Sequence, residues 1–373
     1  MRLALLYHQF VVRGGLEGYL WEFASRLRGR GHELVLVGSR LDARFRSLAA
    51  EVQVIPPPPV SSAWLLARFA RRSARLIRGL RADAVLGFGR THCQDIHRAG
   101  GGCHAVYSRS LPILKRWRCK NRLELSVERR LYTGGGTRHF VVNSTMVARE
   151  LQREYRVPPD AISVIHTGVD ADHWHPAADD VEKGELRRKL SPATPMEMPV
   201  WLFVSLDHRR KGLASLLQAA CEVPGAEIWI VGAPLDRGWW KCIDSLGLRS
   251  RVRAFGRQED LRAFYQAADL FVHPTAYDAC ANTVLQSMAS GLPGIISERD
   301  GAAEFIRERQ NGFLLTNPDN PRELAARLRE AAACNLPTLG RGARASMLPL
   351  NWDAHMDAWM ELIQRTAVSR GPG

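Results

Sequence analysis

Three features of the 373-residue chain predict two doubly wound α/β units in series. Short runs rich in Val, Ile, Leu and Phe alternate with amphipathic helical stretches, the signature of a parallel sheet covered on both faces. The alternation pauses over residues 173–198, where prolines and an acidic cluster interrupt it, and then restarts. The length suits two, at most three, domains of ordinary size.

In the first unit the strand-like runs are 2–7, 33–37, 52–55, 84–88, 140–142 and 163–166, with helical patterns at 16–28, 63–80 and 144–155. The opening Met1-Arg2-Leu3-Ala4-Leu5-Leu6-Tyr7 stops at His8-Gln9 with no small-residue cleavage site after it. It therefore reads as a buried strand rather than a secretory leader. In the second unit strands are expected at 201–205, 228–231, 252–255, 270–272 and 294–296, and helices at 211–221, 260–266 and 281–289. The expected domains are 1–175 and 176–350. The closing segment, 351–373, holds a helix that suits either unit and is assigned to the first. Two such units imply a cleft, with ligands beyond the carboxyl ends of the strands.

Composition narrows the function classes. Hydrophobic residues at 46% and charged residues at 24% exclude a disordered chain. Apolar runs such as Val200-Trp201-Leu202-Phe203-Val204 fall far short of the roughly 18 residues that span a bilayer. Seven scattered cysteines form no C-x-x-C pair, so they read as reduced thiols of a cytoplasmic protein. Lys plus Arg number 52 against 38 acidic residues, a net charge of +14, which calls for an anionic partner: nucleic acid, a phosphate-bearing ligand or an acidic membrane.

Three stretches carry chemistry. Arg13-Gly14-Gly15-Leu16-Glu17-Gly18 follows the first strand and opens a helix, where glycines let amides approach a phosphate at the positive end of the dipole. A plain tight turn fits the same residues, and the full dinucleotide fingerprint is absent. His208-Arg209-Arg210-Lys211-Gly212 repeats the strand-to-helix setting with adjacent cations suited to a diphosphate, or to a solvated basic turn. Residues 268–293 run from a strand ending at His273-Pro274 through a polar turn with Asp278 into a helix ending near Gly291. Gln286 lies eight residues, about two helical turns, beyond Asp278, so the two suit opposite ends of one elongated ligand.

With these stretches in order, the chain resembles the retaining glycosyltransferases of family four, which have the two-domain GT-B fold. The resemblance rests on Gly14-Gly15-Leu16-Glu17, Ile165-His166-Thr167-Gly168-Val169-Asp170, Arg210-Lys211-Gly212 and residues 268–293. Within the family, residues 87–107 are most similar to lipopolysaccharide core glucosyltransferases, which would put Asp95 on the acceptor side. The resemblance implies a nucleotide-sugar donor and a glycolipid or saccharide acceptor. Lys211, helped by Arg209 or Arg210, would hold the diphosphate, and Asp278 would face the donor sugar. Gln286 would meet the ribose, while Phe255 and Arg257 would line the base pocket. Gly14, Gly15, Ala281 and Asn282 would complete the donor set. Gln286 stands where relatives carry glutamate, at a cost of roughly 1–2 kcal/mol in the charged bond. Ser205 and Thr167 also depart from the family pattern.

The implied chemistry uses no metal and no cofactor. Asp170-Ala171-Asp172 matches a metal-binding Asp-x-Asp in spelling, but the resemblance explains Asp170 as a loop residue. A nucleotide-sugar epimerase, or a homologue with impaired catalysis, shares the same motifs. Nucleic-acid binding is set aside because no reading module is present. Two basic stretches remain. Residues 63–81 pattern as a basic amphipathic helix, which suits a membrane surface or the cover of a sheet. Residues 106–130 carry eight basic side chains against Glu124 and Glu128, a net +6, interleaved with Leu111, Ile113, Leu114 and Trp117. This second stretch is expected to dock on anionic lipid or phosphorylated glycolipid, which would make the protein peripheral on the inner face of the cytoplasmic membrane.

Overall fold

The computed structural model describes residues 1–11, 14–57 and 62–368, without the side chains of 62–65 and 368. Arg13 and the side chains of Ala63, Trp64 and Leu65, used above, lie outside the described residues. The chain divides into two compact units, Met1–His166 with Asp353–Gly373, and Thr167–Trp352.

The first unit contains β1 (Arg2–Leu6), β2 (Gln9–Phe10), β3 (Glu33–Gly38), β4 (Arg40–Leu41), β5 (Glu51–Val54), β6 (Ala84–Gly87), β7 (Gln94–Arg98), β8 (Thr137–Val142) and β9 (Ile162–Val164). Seven of them form one parallel sheet in the order β5-β3-β1-β6-β7-β8-β9, while β2 and β4 make a separate short pair. The strand order reverses between β1 and β6, the doubly wound arrangement. The apolar β1 that opens the sequence therefore sits in mid-sheet.

The basic helix Ser62–Leu76 turns Phe69 and Ala70 inward, and Phe69 packs with Ala4, Leu6, Val35, Val37 and Val85 of the sheet. Arg71, Arg72 and Arg75 are exposed. Of the two roles open to this helix, the structure gives it the cover of the sheet. On the opposite face the helix Trp352–Val368 contributes a fully buried Trp359, in ring contact with Phe23 and Phe88.

The second unit contains β10 (Val200–Ser205), β11 (Glu227–Gly232), β12 (Val252–Gly256), β13 (Leu270–His273), β14 (Gly294–Ser297) and β15 (Gly312–Leu315). They form one parallel sheet ordered β12-β11-β10-β13-β14-β15. Its strands are near-continuous apolar runs because both faces are covered. Trp201, Phe203, Ile228 and Ile230 join one core layer, and Val200, Leu202, Trp229 and Val231 the other. This is the period-two alternation of a strand sorted into two layers. Among the described residues no helix is long and apolar enough to cross a membrane.

A buried guanidinium ties this sheet to the segment before it. Arg187, on the helix Asp180–Leu190, donates to the carbonyls of Ala267, Met196 and Met198 and to Asp269 Oδ2 at 2.8 Å. Asp269 also accepts from the Val200 amide at 2.8 Å, so one carboxylate registers the starts of β10 and β13. Arg187→Ala strands several buried acceptors, and urea unfolding should show a loss of roughly 3 kcal/mol.

Candidate functional site

In the second unit the strand order reverses between β10 and β13, and the crevice beyond the carboxyl ends at such a reversal is where open α/β sheets take ligands. Two loops leave the sheet there. Residues 206–212 follow β10 and lead to the helix Leu213–Glu222. Residues 274–281 follow β13 and lead to the helix Asn282–Ala289.

The two loops are joined through their backbones. The Ala276 amide donates to the Arg210 carbonyl at 2.8 Å, and the Thr275 hydroxyl donates to the same oxygen at 3.2 Å. Gly212 has φ +84°, and a Cβ there would fall 2.0 Å from the Pro274 carbonyl oxygen. Only glycine permits so close a crossing. It places residue 211 directly beside the end of β13.

The charged groups meet at this crossing. Lys211 is buried, and its Nζ contacts Asp278 Oδ2 and lies 3.3 Å from His273 Nε2. Arg210 Nη1 donates to Asp278 Oδ2 at 3.0 Å and to the Tyr277 carbonyl at 2.9 Å. Burial alone would raise the Asp278 pKa, but Lys211 and Arg210 outweigh it and hold the carboxyl well below the usual range. Asp278 is thus an anion fixed by two cations.

The structure sorts the rest of the donor set expected from sequence. Arg210, rather than Arg209, reaches Asp278; Arg209 is exposed. Ala281 is buried, and its amide donates to Asp300 Oδ1 at 3.0 Å, so it is not a free helix-terminal donor. Asn282 opens the helix that carries Gln286. The Gln286 Oε1 accepts from the buried Tyr265 hydroxyl at 3.4 Å. Phe255 packs against Trp229 and Phe264 at the end of β12, with Gly256 at φ +64° and an exposed Arg257 after it.

Two residues not expected in the donor set lie behind Lys211. His273 and Asp300 are fully buried, with Nε2 and Oδ2 3.1 Å apart. Together with Asp278 they bring one ligand atom each within 4.8 Å of one another, a spacing that suits a metal ion among the described residues. The Lys211 ammonium already contacts two of the three, so a positive charge stands in that place. Asp170, by contrast, accepts from the amides of Asp172 and His173 at 3.2 and 3.0 Å and closes a local turn.

In the first unit Gly14 caps the helix Gly15–Gly29 in extended backbone, at the carboxyl end of β1. Beside it Tyr7 donates to Glu17 at 2.9 Å. Asp95 lies elsewhere, near the amino end of β7. It is buried, accepts from the Val85 amide at 2.8 Å and lies 3.8 Å from Arg138. Its bonds hold sheet strands together, which is not the acceptor-side position expected of it. The basic stretch forms the helices His104–Ser110, Ile113–Arg116 and Cys119–Thr133. At its tip Ile113, Leu114 and Trp117 are 69%, 82% and 70% exposed.

Comparison with known proteins accounts for both units. Residues 13–173 match the model described as Glycosyltransferase Family 4, and residues 198–334 the model described as Glycosyl transferases group 1. Over 340 residues the chain is 23% identical to the lipopolysaccharide glucosyltransferase WaaG of Escherichia coli K12, covering 89% of each chain. Its fold is similar to the crystal structure of WaaG, a glycosyltransferase involved in lipopolysaccharide biosynthesis, at TM-score 0.82 and 21% identity over the whole of both chains. It is also similar to Anabaena Alr3699/HepE in complex with UDP-glucose, at TM-score 0.75 and 19% identity over 98% of this chain and all of that one.

The pairing of Asp278 carries a pH signature. A carboxylate whose folded pKa is depressed stabilises fully above its unfolded value near 3.9, and that stability is lost as pH falls toward the folded pKa. Thermal melts should show a stability gap over Asp278→Asn that is flat from about pH 7 to 5 and shrinks below about pH 4. A gap unchanged down to pH 3 contradicts the pairing.

Proposed function

From the premise that the chain belongs to the family-four glycosyltransferases, we propose that it moves a hexose from a nucleotide sugar, with UDP-glucose as the leading donor, to a lipid-linked or lipopolysaccharide-core saccharide. The observation that carries this reading is the pair of cations, Lys211 and Arg210, converging on Asp278 at the reversal of the second sheet. A nucleotide sugar offers what such a site lacks: a diphosphate for the cations and hydroxyls for the carboxylate.

The chemistry follows from the charges. Departure of a nucleoside diphosphate builds negative charge on its terminal oxygens. Lys211 and Arg210 meet that charge with preformed donors in a largely buried setting, where such interactions are worth far more than in water. With the ammonium lodged against His273 and Asp278, the protein supplies its own cation, and the reading is of metal-independent transfer. The nucleoside diphosphate leaves from one face of the sugar as its bond to the anomeric carbon breaks, and it takes up the proton that the acceptor hydroxyl gives up. We place the acceptor hydroxyl on that same face, so that the anomeric configuration is retained. Gln286, on the helix that follows the Asp278 loop, is assigned to the donor's ribose hydroxyls. Asp95 has no part in this reading, because its bonds belong to the sheet.

The acceptor class comes from the relatives' lipopolysaccharide chemistry and from the exposed tip at 113–117. An apolar cap of Ile113, Leu114 and Trp117 ringed by Lys115, Arg116, Arg118 and Lys120 suits the surface of an anionic bilayer. The apolar side chains enter the headgroup boundary while the cations meet lipid phosphates. We propose that the protein works as a peripheral enzyme on the cytoplasmic membrane face.

A thermal-shift screen against UDP-, GDP-, ADP- and TDP-sugars identifies the donor, because a ligand raises the melting temperature through its binding to the folded state. With that donor, Lys211→Met should lower turnover by roughly 10²- to 10³-fold, and EDTA should leave the unaltered enzyme active. Product of inverted configuration, or activity abolished by EDTA, overturns the reading; isomerised donor without transfer points to an epimerase. Co-sedimentation with vesicles should rise with anionic lipid content and fall in Trp117→Ser. Binding indifferent to lipid charge removes the membrane assignment.

A further inference from the structure

We propose that a divalent transition-metal ion of the zinc class binds at the centre of His273, Asp278 and Asp300, in place of the Lys211 ammonium, and thereby inhibits the protein. That an ion binds there stands on the geometry alone; that it inhibits rests on the donor-site reading above. The three residues bring one ligand atom each within 4.8 Å of one another. One imidazole nitrogen and two carboxylate oxygens form a donor set that such ions accept.

With lysine as its cation the cluster is incompletely bonded. His273 Nε2 lies 3.3 Å from Lys211 Nζ and 3.1 Å from Asp300 Oδ2. Burial, and then Lys211, lower the pKa of the ring, so it is neutral. An ammonium only donates and a carboxylate only accepts, so one nitrogen of a neutral ring cannot serve both. Bearing its lone pair, it leaves Asp300 Oδ2 without a donor; bearing hydrogen, it opposes the ammonium. Asp300 Oδ2 is buried and has no hydrogen-bond partner in the structure. A central ion takes a lone pair from both atoms at once. Bonds of about 2.0–2.1 Å in a tetrahedral site hold the ligand atoms about 3.3 Å apart. Nε2 and Oδ2 already stand at nearly that spacing.

The ligands are also held in place. Asp300 Oδ1 accepts from the amides of Ala281 at 3.0 Å and Ala302 at 2.8 Å, which leaves Oδ2 for the ion. Such outer bonds orient the ligands of metal sites. The Asp278 amide donates to the Arg299 carbonyl and the Gly301 amide to the Asp278 carbonyl, each at 3.0 Å, so the two acidic segments are fixed to each other. His273 ends β13 and pairs with Ile296 of β14. The way in is past Lys211 and Asp278, whose side chains are 10% and 19% exposed. The flexible stem of Lys211 lets the ammonium withdraw toward solvent with its proton. Asp278 is then a metal ligand and Lys211 is displaced, so neither is available to a diphosphate or a sugar.

The test uses the full chain with Zn²⁺, and with Co²⁺ as a spectroscopic stand-in. Lys211→Ala removes the competing ammonium. It should tighten Zn²⁺ binding at least about tenfold in calorimetry and give Co²⁺ the visible absorption of a tetrahedral site. On that background Asp300→Asn and His273→Gln should each weaken Zn²⁺ by about tenfold or more. Thermal melts identify a doubly substituted chain that has not folded, and the other of the pair then decides. Binding unchanged by Lys211→Ala, or unchanged by the second substitutions, overturns the site and places the ions on other histidines and cysteines. In the unaltered protein Zn²⁺ should raise the KM for the donor without lowering kcat. EDTA should reverse the effect, and Asp300→Asn should lose it. Zn²⁺ bound at this site with donor turnover unaffected overturns the inhibition. Failure of the protein to bind any nucleoside diphosphate removes the donor-site reading, while the Zn²⁺ titrations still decide the metal site.

Discussion

One ammonium, with a carboxylate before it and an imidazole behind it, sets the ligand edge of the second unit. Lys211 comes from the loop after β10 and its partners from β13 and the loop beyond it. Their meeting depends on the two strands being neighbours although 64 residues separate Ser205 from Leu270. It depends equally on Gly212, since a methyl group at that position would collide with the Pro274 carbonyl. The doubly wound order brings the loops together, and the glycine closes the last few ångströms.

The first unit repeats that strand order with different contents at the reversal. There β1 leads to Tyr7 and His8, and β6 to Phe88. Burial, with Arg90 adding to it, pushes the His8 pKa down to about 4, so the ring is neutral at pH 7. Glu17 beside Tyr7 and Arg90 near His8 stand among aromatic and neutral groups, without the cluster of cations on one carboxylate seen in the second unit. One architecture thus carries two chemistries, and the side chains at the strand ends, rather than the fold, distinguish them.

The fold was legible because most strands are apolar runs between helical patterns, and the expected and observed limits of β1, β3, β10 and β14 agree within one residue. Strands β2, β4, β7 and β15 were not expected, and β7 shows most plainly what the rule reads. β7, Gln94–Arg98, was not expected as a strand, because Gln, Asp, His and Arg occupy four of its five positions. All five are buried, and polar partners make that burial tolerable: Gln94 bonds with Thr91 and Thr137, Asp95 with the Val85 amide, and the Arg98 guanidinium lies 3.6 Å from the Tyr19 ring centre. Such partners are distant in sequence, so hydrophobic pattern cannot reveal them. The candidate site divides in the same way. Lys211, Asp278 and Gln286 belong to local motifs and were found. Arg210 could be told from Arg209 only by its direction in space. Asp300 lies 27 residues beyond His273, and no spacing connects them.

The division of the chain into units also bears on the order in which the protein is made. Residues 353–368 supply Trp359 and His355 to the first unit, where His355 bonds the Tyr19 hydroxyl at 2.9 Å and the His166 carbonyl at 2.6 Å. Translation reaches them only after all of 167–352 has been synthesised. Of the two units, the one begun first on the ribosome is therefore finished last, and its aromatic core waits for a helix made after the whole of the second unit.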